Sequence, residues 1–153
     1  MKMKPTYSVL IPVYNEEKVI LQTIKDVKKT MDRHDYEIIV INDCSKDRTG
    51  AILKQAQGIK VINHPVNKGY GGSLKSGLRI AQGEWIIITD ADGTYPIKDI
   101  PRLLQFVPEY DMVVGARTGQ KVHIPFMRRP AKWMLKQVAR IATGVNIPDL
   151  NSG

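Results

Sequence analysis

Short apolar runs rich in β-branched residues alternate with amphipathic stretches along this chain, and that alternation restricts its fold more than any other feature. The runs are Tyr7 to Val13, Glu37 to Asn42, Lys60 to Asn63, Trp85 to Thr89 and Met112 to Val114. Each has the length of a strand, and WIIIT at 85–89 is apolar enough for burial on both faces. Between them, residues 16–32 carry Ile20, Ile24, Val27 and Met31 at helical spacing, 47–57 turn Ile52, Leu53 and Ala56 inward, and 69–82 repeat Leu74, Leu78 and Ala81. Residues 97–106 and 125–143 complete the helical segments. Asn15 is placed to cap the first helix and Asp47 the second, Glu16 and Glu17 suit the first helix's positive end, and Gly83 closes the third. Strand and helix in strict alternation predict an α/β domain with a mostly parallel sheet and right-handed crossovers. At 153 residues, one such domain accounts for the chain.

In open sheets of this kind, ligands bind beyond the carboxyl ends of the strands. The residues to weigh are therefore Tyr14 to Glu16, Asp43 to Asp47, Pro65 to Gly72, Asp90 to Tyr95 and Ala116-Arg117. Asp90-Ala91-Asp92 is the most informative group. On extended chain the two carboxylates point to one side, with Cα atoms about 6.5–7 Å apart. That suits a hard divalent ion, Mg²⁺ or Mn²⁺, held together with a diphosphate, the plainer alternative being a helix cap and a turn at Gly93. Asp43 is placed to accept hydrogen bonds from the N–H groups of a base, and Asp47 is assigned to structure. Pro12, Tyr14 and Glu16 offer an aromatic face and a carboxylate. The glycine-rich stretch from Asn67 to Gly72 opens a helix and offers backbone N–H groups to a phosphate, yet it fits neither G-x-G-x-x-G nor a P-loop. His34, His64 and His123 have no metal-ligand spacing and read as incidental. Cys44, the one cysteine, rules out an intrachain disulfide, fits a reducing compartment and receives no catalytic role.

The net charge of +8 predicts an anionic partner: nucleic acid, a membrane surface or a phosphorylated small molecule. Its distribution separates the three. Residues 116–153 hold seven Lys and Arg against Asp149 alone, a net +6, whereas residues 1–115 carry only +2. Arg128, Lys132, Lys136 and Arg140 recur every fourth position as a cationic stripe, with Phe126, Met127, Trp133, Met134 and Ile141 largely elsewhere around the helix. A basic amphipathic helix over 125–143 reads as a membrane-interface element, the alternative being a solvated face over a core. Few aromatics interleave with the stripe, and the acidic mouth at Asp90 and Asp92 repels a polyanion, so nucleic acid is the partner set aside. No run approaches the roughly 18 apolar residues of a spanning helix.

The segments SVLIPVYNEE, IIVINDCSKDRT, NKGYGGSLKSGLRIAQGEWIIITDADGTYP and VVGAR, in this order, resemble the family 2 glycosyltransferases of GT-A fold. Among these, the dolichyl- or polyprenyl-phosphate mannose synthase type is the most similar. The resemblance covers nearly the whole chain and implies a three-layer, Rossmann-like nucleotide-sugar-binding domain over residues 1–153. The closing IPDLNSG resembles the start of a motif that continues in the family, so the chain is expected to be truncated at its C-terminal end. Carried over by position, the resemblance implies that Pro12, Tyr14 and Glu16 border the nucleotide, with Tyr14 against the base. It implies that Asp43 contacts the base and that Asp90 and Asp92 hold the nucleotide sugar and its metal; Lys68, in the glycine-rich stretch, is also expected to bind the nucleotide sugar. Asp92 and Arg117 are the expected catalytic residues, with Arg117, Arg128 and Arg129 toward an acceptor phosphate. The chain departs from the family pattern at Asn42 (usually an acid), Cys44 (usually glycine) and Thr94 (often Gln in the mannose synthases).

Together these readings imply a metal-dependent, inverting transfer from GDP-mannose or a UDP-sugar to a polyprenyl or dolichyl phosphate, at the cytoplasmic face of a membrane. A phosphate monoester, with its second pKa near 6, is already ionised at neutral pH and needs no general base. Arginines suit such an acceptor because they bind phosphate bidentately. The alternatives are transfer to a saccharide hydroxyl, a nucleotide-binding fragment without transferase activity, and sugar-phosphate nucleotidyl transfer. The last wants a glycine- and arginine-rich loop where this chain has Pro12 to Glu17.

Overall fold

The computed structural model describes residues 5–107 and 109–115. The chain divides into two compact units, residues 1–102 and 103–153, and the sheet lies in the first. Four of the five expected strands form: β1 (Tyr7–Val13), β2 (Tyr36–Asn42), β3 (Lys60–Asn63) and β4 (Trp85–Ile88). Helices α1 (Ile20–Met31), α2 (Thr49–Gln55) and α3 (Gly69–Ile80) connect them, and a 3₁₀ turn (Ile97–Asp99) leads into α4 (Ile100–Leu104). All strand pairs are parallel, in the order β3-β2-β1-β4. Val9, Leu10 and Ile11 of β1 and Ile38 to Ile41 of β2 are buried without interruption, as a sheet covered on both faces requires.

The expected inward positions of α1, namely Ile20, Ile24, Val27 and Met31, are buried. The path steps from β1 to β2 to β3 in one direction and then returns across β1 to β4. With right-handed connections that reversal puts α3 on the face opposite α1 and α2. Accordingly α1 and α2 pack together, while α3 packs on β1 and β2. Gly77 lets α3 lie close, because a Cβ there would sit 3.0 Å from Ile41 Cδ1 and 3.2 Å from Leu10 Cδ2.

Several boundaries differ from expectation. Helix α1 begins at Ile20 rather than 16, with Val19 before it and no side-chain cap. Asn15 does not cap it, because Asn15 lies in the left-handed region at φ 58°. Helix α3 ends at Ile80, and Gly83 serves a different need: a Cβ there would lie 2.5 Å from the backbone N of Ser8. Its N–H donates to Ser8 Oγ at 2.8 Å. Residues 112–115 are irregular rather than a fifth strand, and the helix expected over 97–106 is reduced to the 3₁₀ turn and α4. The helix expected over 125–143 lies outside the described residues. Among the described residues no helix is long and apolar enough to cross a membrane.

Pro12 stands in a central strand, where proline ordinarily breaks a ladder. Leu10 O accepts from Thr89 N at 3.1 Å, and Val13 O accepts from Asp43 N at 2.9 Å. Successive residues of β1 thus address β4 and β2 in turn, and the missing N–H of Pro12 falls on the β4 side, beyond the last rung at Leu10–Ile88. The proline costs no ladder bond. The two strands part there, opening a crevice where the strand order switches direction.

Candidate functional site

The loop after β1 is splinted by the loop after β2. Asn15 N donates to Ser45 Oγ (3.0 Å), Glu16 N to Thr49 Oγ1 (2.9 Å) and Glu17 N to Asp47 Oδ2 (3.1 Å). In return, Lys46 N donates to Asn15 Oδ1 (2.7 Å) and Arg48 N to Glu17 Oε2 (2.9 Å). Asp47 also accepts from Thr49 N at 3.0 Å, so its structural assignment stands, but as a bridge between two loops rather than as the expected cap: Arg48 precedes α2 and the helix has no side-chain cap. The polar stretch from Ser45 to Thr49 therefore holds the Tyr14–Glu17 segment in place. Burial, then the charges of Asp92 and Asp47, push the Glu16 carboxyl above the usual carboxylate range.

Asp43 is only 4% exposed. Its Oδ1 accepts from His64 Nδ1 (2.7 Å) and Lys68 N (2.8 Å), and its Oδ2 accepts from Gly69 N (2.8 Å). Burial pushes this carboxyl up, but the Lys68 N–H, His64 and the Gly69 N–H outweigh it and hold the carboxyl below its ordinary range. Two expectations change as a result. The glycine-rich stretch does not present these two N–H groups to a phosphate, because the Asp43 carboxylate already occupies them. His64 is not incidental: buried beyond β3, it bridges Asp43 to Ser76 Oγ, 2.8 Å from its Nε2. Sequence reasoning passed over His64 because its partners lie 21 and 12 residues away. Its place directly after a strand was the available signal. His34 sets its ring edge-on to Tyr7 at 5.6 Å, and His123 lies outside the described residues.

Beside Asp43 is a cleft of about 220 Å³ whose walls include Pro12, Tyr14, Asn67, Tyr70 and Ser73. Tyr14 and Tyr70 are 46% and 45% exposed, leaving their rings available to a planar ligand. Tyr70, absent from the expected site, joins the cleft to the aspartate pair. Burial, the Asp90 charge and a hydrogen bond to Asp90 push its hydroxyl up to about 12, so it stays protonated and donates to that carboxylate.

The aspartate pair does not continue a strand. β4 stops at Ile88, residues 91–93 bend, and Gly93 takes φ 74°. Asp90 is half-buried while Asp92 is exposed, so the two are not the equivalent pair that an extended chain would make. Asp92 Oδ1 accepts from Thr94 N (2.9 Å) and Thr94 Oγ1 (2.7 Å). Thr94 thus orients the second aspartate. Among the described residues no group of three or more His, Cys, Asp or Glu forms a ligand cluster. The donor set nevertheless fits Mg²⁺ or Mn²⁺, which are held by one or two carboxylates together with phosphate oxygens and water. The charges crowded around Glu16, Asp47 and Asp92 are those a cation would relieve.

The structure therefore gathers Pro12, Tyr14 and Asp43 at one cleft, with Asp90 joined to it through Tyr70 and Glu16 close enough to Asp92 to feel its charge. Lys68 contributes its backbone N–H to Asp43. Arg117, Arg128 and Arg129 lie outside the described residues.

The family model for Glycosyl transferase family 2 matches residues 8–149. The chain is 35% identical to an undecaprenyl-phosphate 4-deoxy-4-formamido-L-arabinose transferase of Proteus mirabilis, covering 93% of this chain and 45% of that protein. It is 30% identical to an undecaprenyl-phosphate mannosyltransferase of Micrococcus luteus, covering 94% and 63%. The chain thus spans about half the length of the curated relatives it matches. Among solved structures, it is similar to glucosyl-3-phosphoglycerate synthase from Mycobacterium tuberculosis in complex with Mn²⁺, UDP-glucose and phosphoglyceric acid. There the identity is 27% and the TM-score 0.58, over 70% of this chain and 40% of that one.

Proposed function

The chain belongs to glycosyl transferase family 2 and has its GT-A fold, and we propose that it carries the donor side of a polyprenyl-phosphate sugar transferase. The reaction is the inverting transfer of a sugar from GDP-mannose or a UDP-sugar to a polyprenyl or dolichyl phosphate. One observation carries this reading: at the switch point of the sheet, an aromatic cleft and a two-aspartate bend meet through Tyr70 and Asp90. Two relatives named for undecaprenyl-phosphate transfer support the acceptor class.

Tyr14 and Tyr70 flank the base, with Pro12 forming the floor. Asp43 has three of roughly four acceptor positions filled by the protein, which holds it rigid and leaves one for a base N–H. Glu16 and Lys68 border the nucleotide sugar. Asp90 and Asp92 are the residues that would hold Mg²⁺ or Mn²⁺, which when bound neutralises the charge growing on the departing diphosphate. Tyr70 fixes Asp90 and Thr94 fixes Asp92, so the carboxylates need little rearrangement to act. Arg117 serves catalysis at the acceptor phosphate, which Arg128 and Arg129 also bind. The basic segment 125–143 meets anionic lipid at the cytoplasmic membrane face.

A thermal-shift comparison of wild type with Asp92→Ala, using GDP and UDP with and without Mn²⁺, tests the donor side. We expect one nucleotide to raise the melting temperature more with Mn²⁺ than without it, and the variant to lose most of that additional rise. An unchanged rise in Asp92→Ala would remove the metal assignment.

A further inference from the structure

Thr23 belongs to no motif and lines no part of the aromatic cleft, yet it reaches the aspartate bend. It lies in the first turn of α1 and is 3% exposed. Its Oγ1 is 3.0 Å from Ala91 O and 3.2 Å from Val19 O. A helical threonine ordinarily returns its hydroxyl to the carbonyl four residues back. Here the shorter contact is the long-range one, to the residue between Asp90 and Asp92. Ala91 is also 3% exposed, so water does not substitute for either partner. The bend needs such a tie, because β4 has already ended at Ile88 and Gly93 follows at φ 74°.

We propose that Thr23 is a positioning residue: through Ala91 O it fixes the backbone between the two aspartates, and so sets how Asp90 and Asp92 meet a divalent cation and its diphosphate. This rests on the role proposed above for that pair. A β-branched side chain on a helix has few χ1 states, which keeps the hydroxyl directed at Ala91. Asp90 and Asp92 flank Ala91 directly, so displacement of the bend moves both carboxylates that would meet a divalent cation. Groups that orient metal ligands without touching the ion typically change metal affinity by about 10–100-fold. Thr23 acts through backbone, at the lower end of that range.

The experiment is calorimetric titration of GDP and of UDP, with and without Mn²⁺, into the full chain and three variants. Thr23→Val keeps the shape without the hydroxyl, Thr23→Ser keeps the hydroxyl, and Asp92→Asn reports on the metal pair itself. We expect Thr23→Val to weaken Mn²⁺-dependent nucleotide binding about tenfold, to leave metal-free binding unchanged, and Thr23→Ser to restore it. Wild-type affinity in Thr23→Val, with Asp92→Asn impaired, overturns the positioning role and leaves the aspartate assignment standing. Wild-type affinity in Asp92→Asn overturns both. Should Thr23→Val not fold, Thr23→Ser decides: full binding supports the hydroxyl's role, and a tenfold loss overturns it in favour of methyl packing.

Discussion

Cys44 takes φ 62°, the left-handed region in which a side chain costs about 1–2 kcal/mol. Its Sγ contacts are weak, 3.5 Å from Pro65 O and 3.4 Å from Lys46 Nζ. The glycine expected there by family resemblance now has a backbone reason. Cys44→Gly should raise stability by up to about 1 kcal/mol, since glycine relieves the strain but loses more chain entropy on folding. Urea unfolding midpoints would register it, and a lower midpoint would mean that the sulfur contacts outweigh the strain. Asn15 shares this conformation at φ 58°, but Asn tolerates it and uses its side chain to grip Lys46 N. Neither strain nor grip was legible in the sequence, where Asn15 offered itself equally well as a cap. Asp43 was legible as a strand-end carboxylate. That His64 and two backbone N–H groups hold it was not, because those partners lie more than 20 residues away.

Between elements, Glu37 does at the amino end of the sheet what the Asn15–Thr49 splint does at the carboxyl end. From β2, its Oε1 accepts from Ser8 Oγ of β1 and from Gln82 N before β4, both at 2.6 Å, and its Oε2 pairs with Lys60 of β3 at 2.6 Å. Burial raises this carboxyl, but Lys60, Ser8 and the Gln82 N–H more than reverse that and leave it below its ordinary value. A lowered folded value means that this stabilisation is complete above the unfolded carboxyl pKa of about 4.3 and is lost as pH falls through the folded value. Glu37→Gln should therefore cost about 2 kcal/mol at pH 7 and less at pH 3. Melting curves from pH 7 to pH 3 should converge for the two proteins, and a constant gap would rule the charge out as the cause. The runs and periodicities placed these elements within a few residues. Their ends were misjudged where a polar residue that resembled a cap was engaged across loops, and where Gly83 answered to a backbone approach rather than a helix end.

For the molecule as a whole, the strand order matters most. The return across β1 parts β1 from β4 beyond Leu10 and brings Tyr14, Asp43, Tyr70 and Asp90 around one crevice. Net charge is divided just as unequally: +6 of the +8 follows residue 115. If that segment meets anionic lipid, the chain should co-sediment with vesicles containing phosphatidylglycerol, bind neutral phosphatidylcholine vesicles less, and lose the difference in 0.5 M salt, where the Debye length falls to about 4–5 Å. Equal sedimentation with both vesicle types would overturn the membrane assignment.

The sequence by itself determined the α/β alternation, the edge of the sheet at which polar strand-end residues collect and the family motifs, because strand and helix periods are local properties written into neighbouring residues. Only the tertiary structure decided which polar groups at that edge are engaged within the protein and which face the cleft. Asp43 and Asp47 were assigned to ligand and to structure from their place after a strand, but that Asp43, Ser45, Asp47 and Thr49 each take partners from distant segments was not legible. Thr23 carries no motif in the sequence, yet its hydroxyl donates to Ala91 O between the two aspartates. A hydrogen bond is set by proximity in space, and linear spacing carries no record of it.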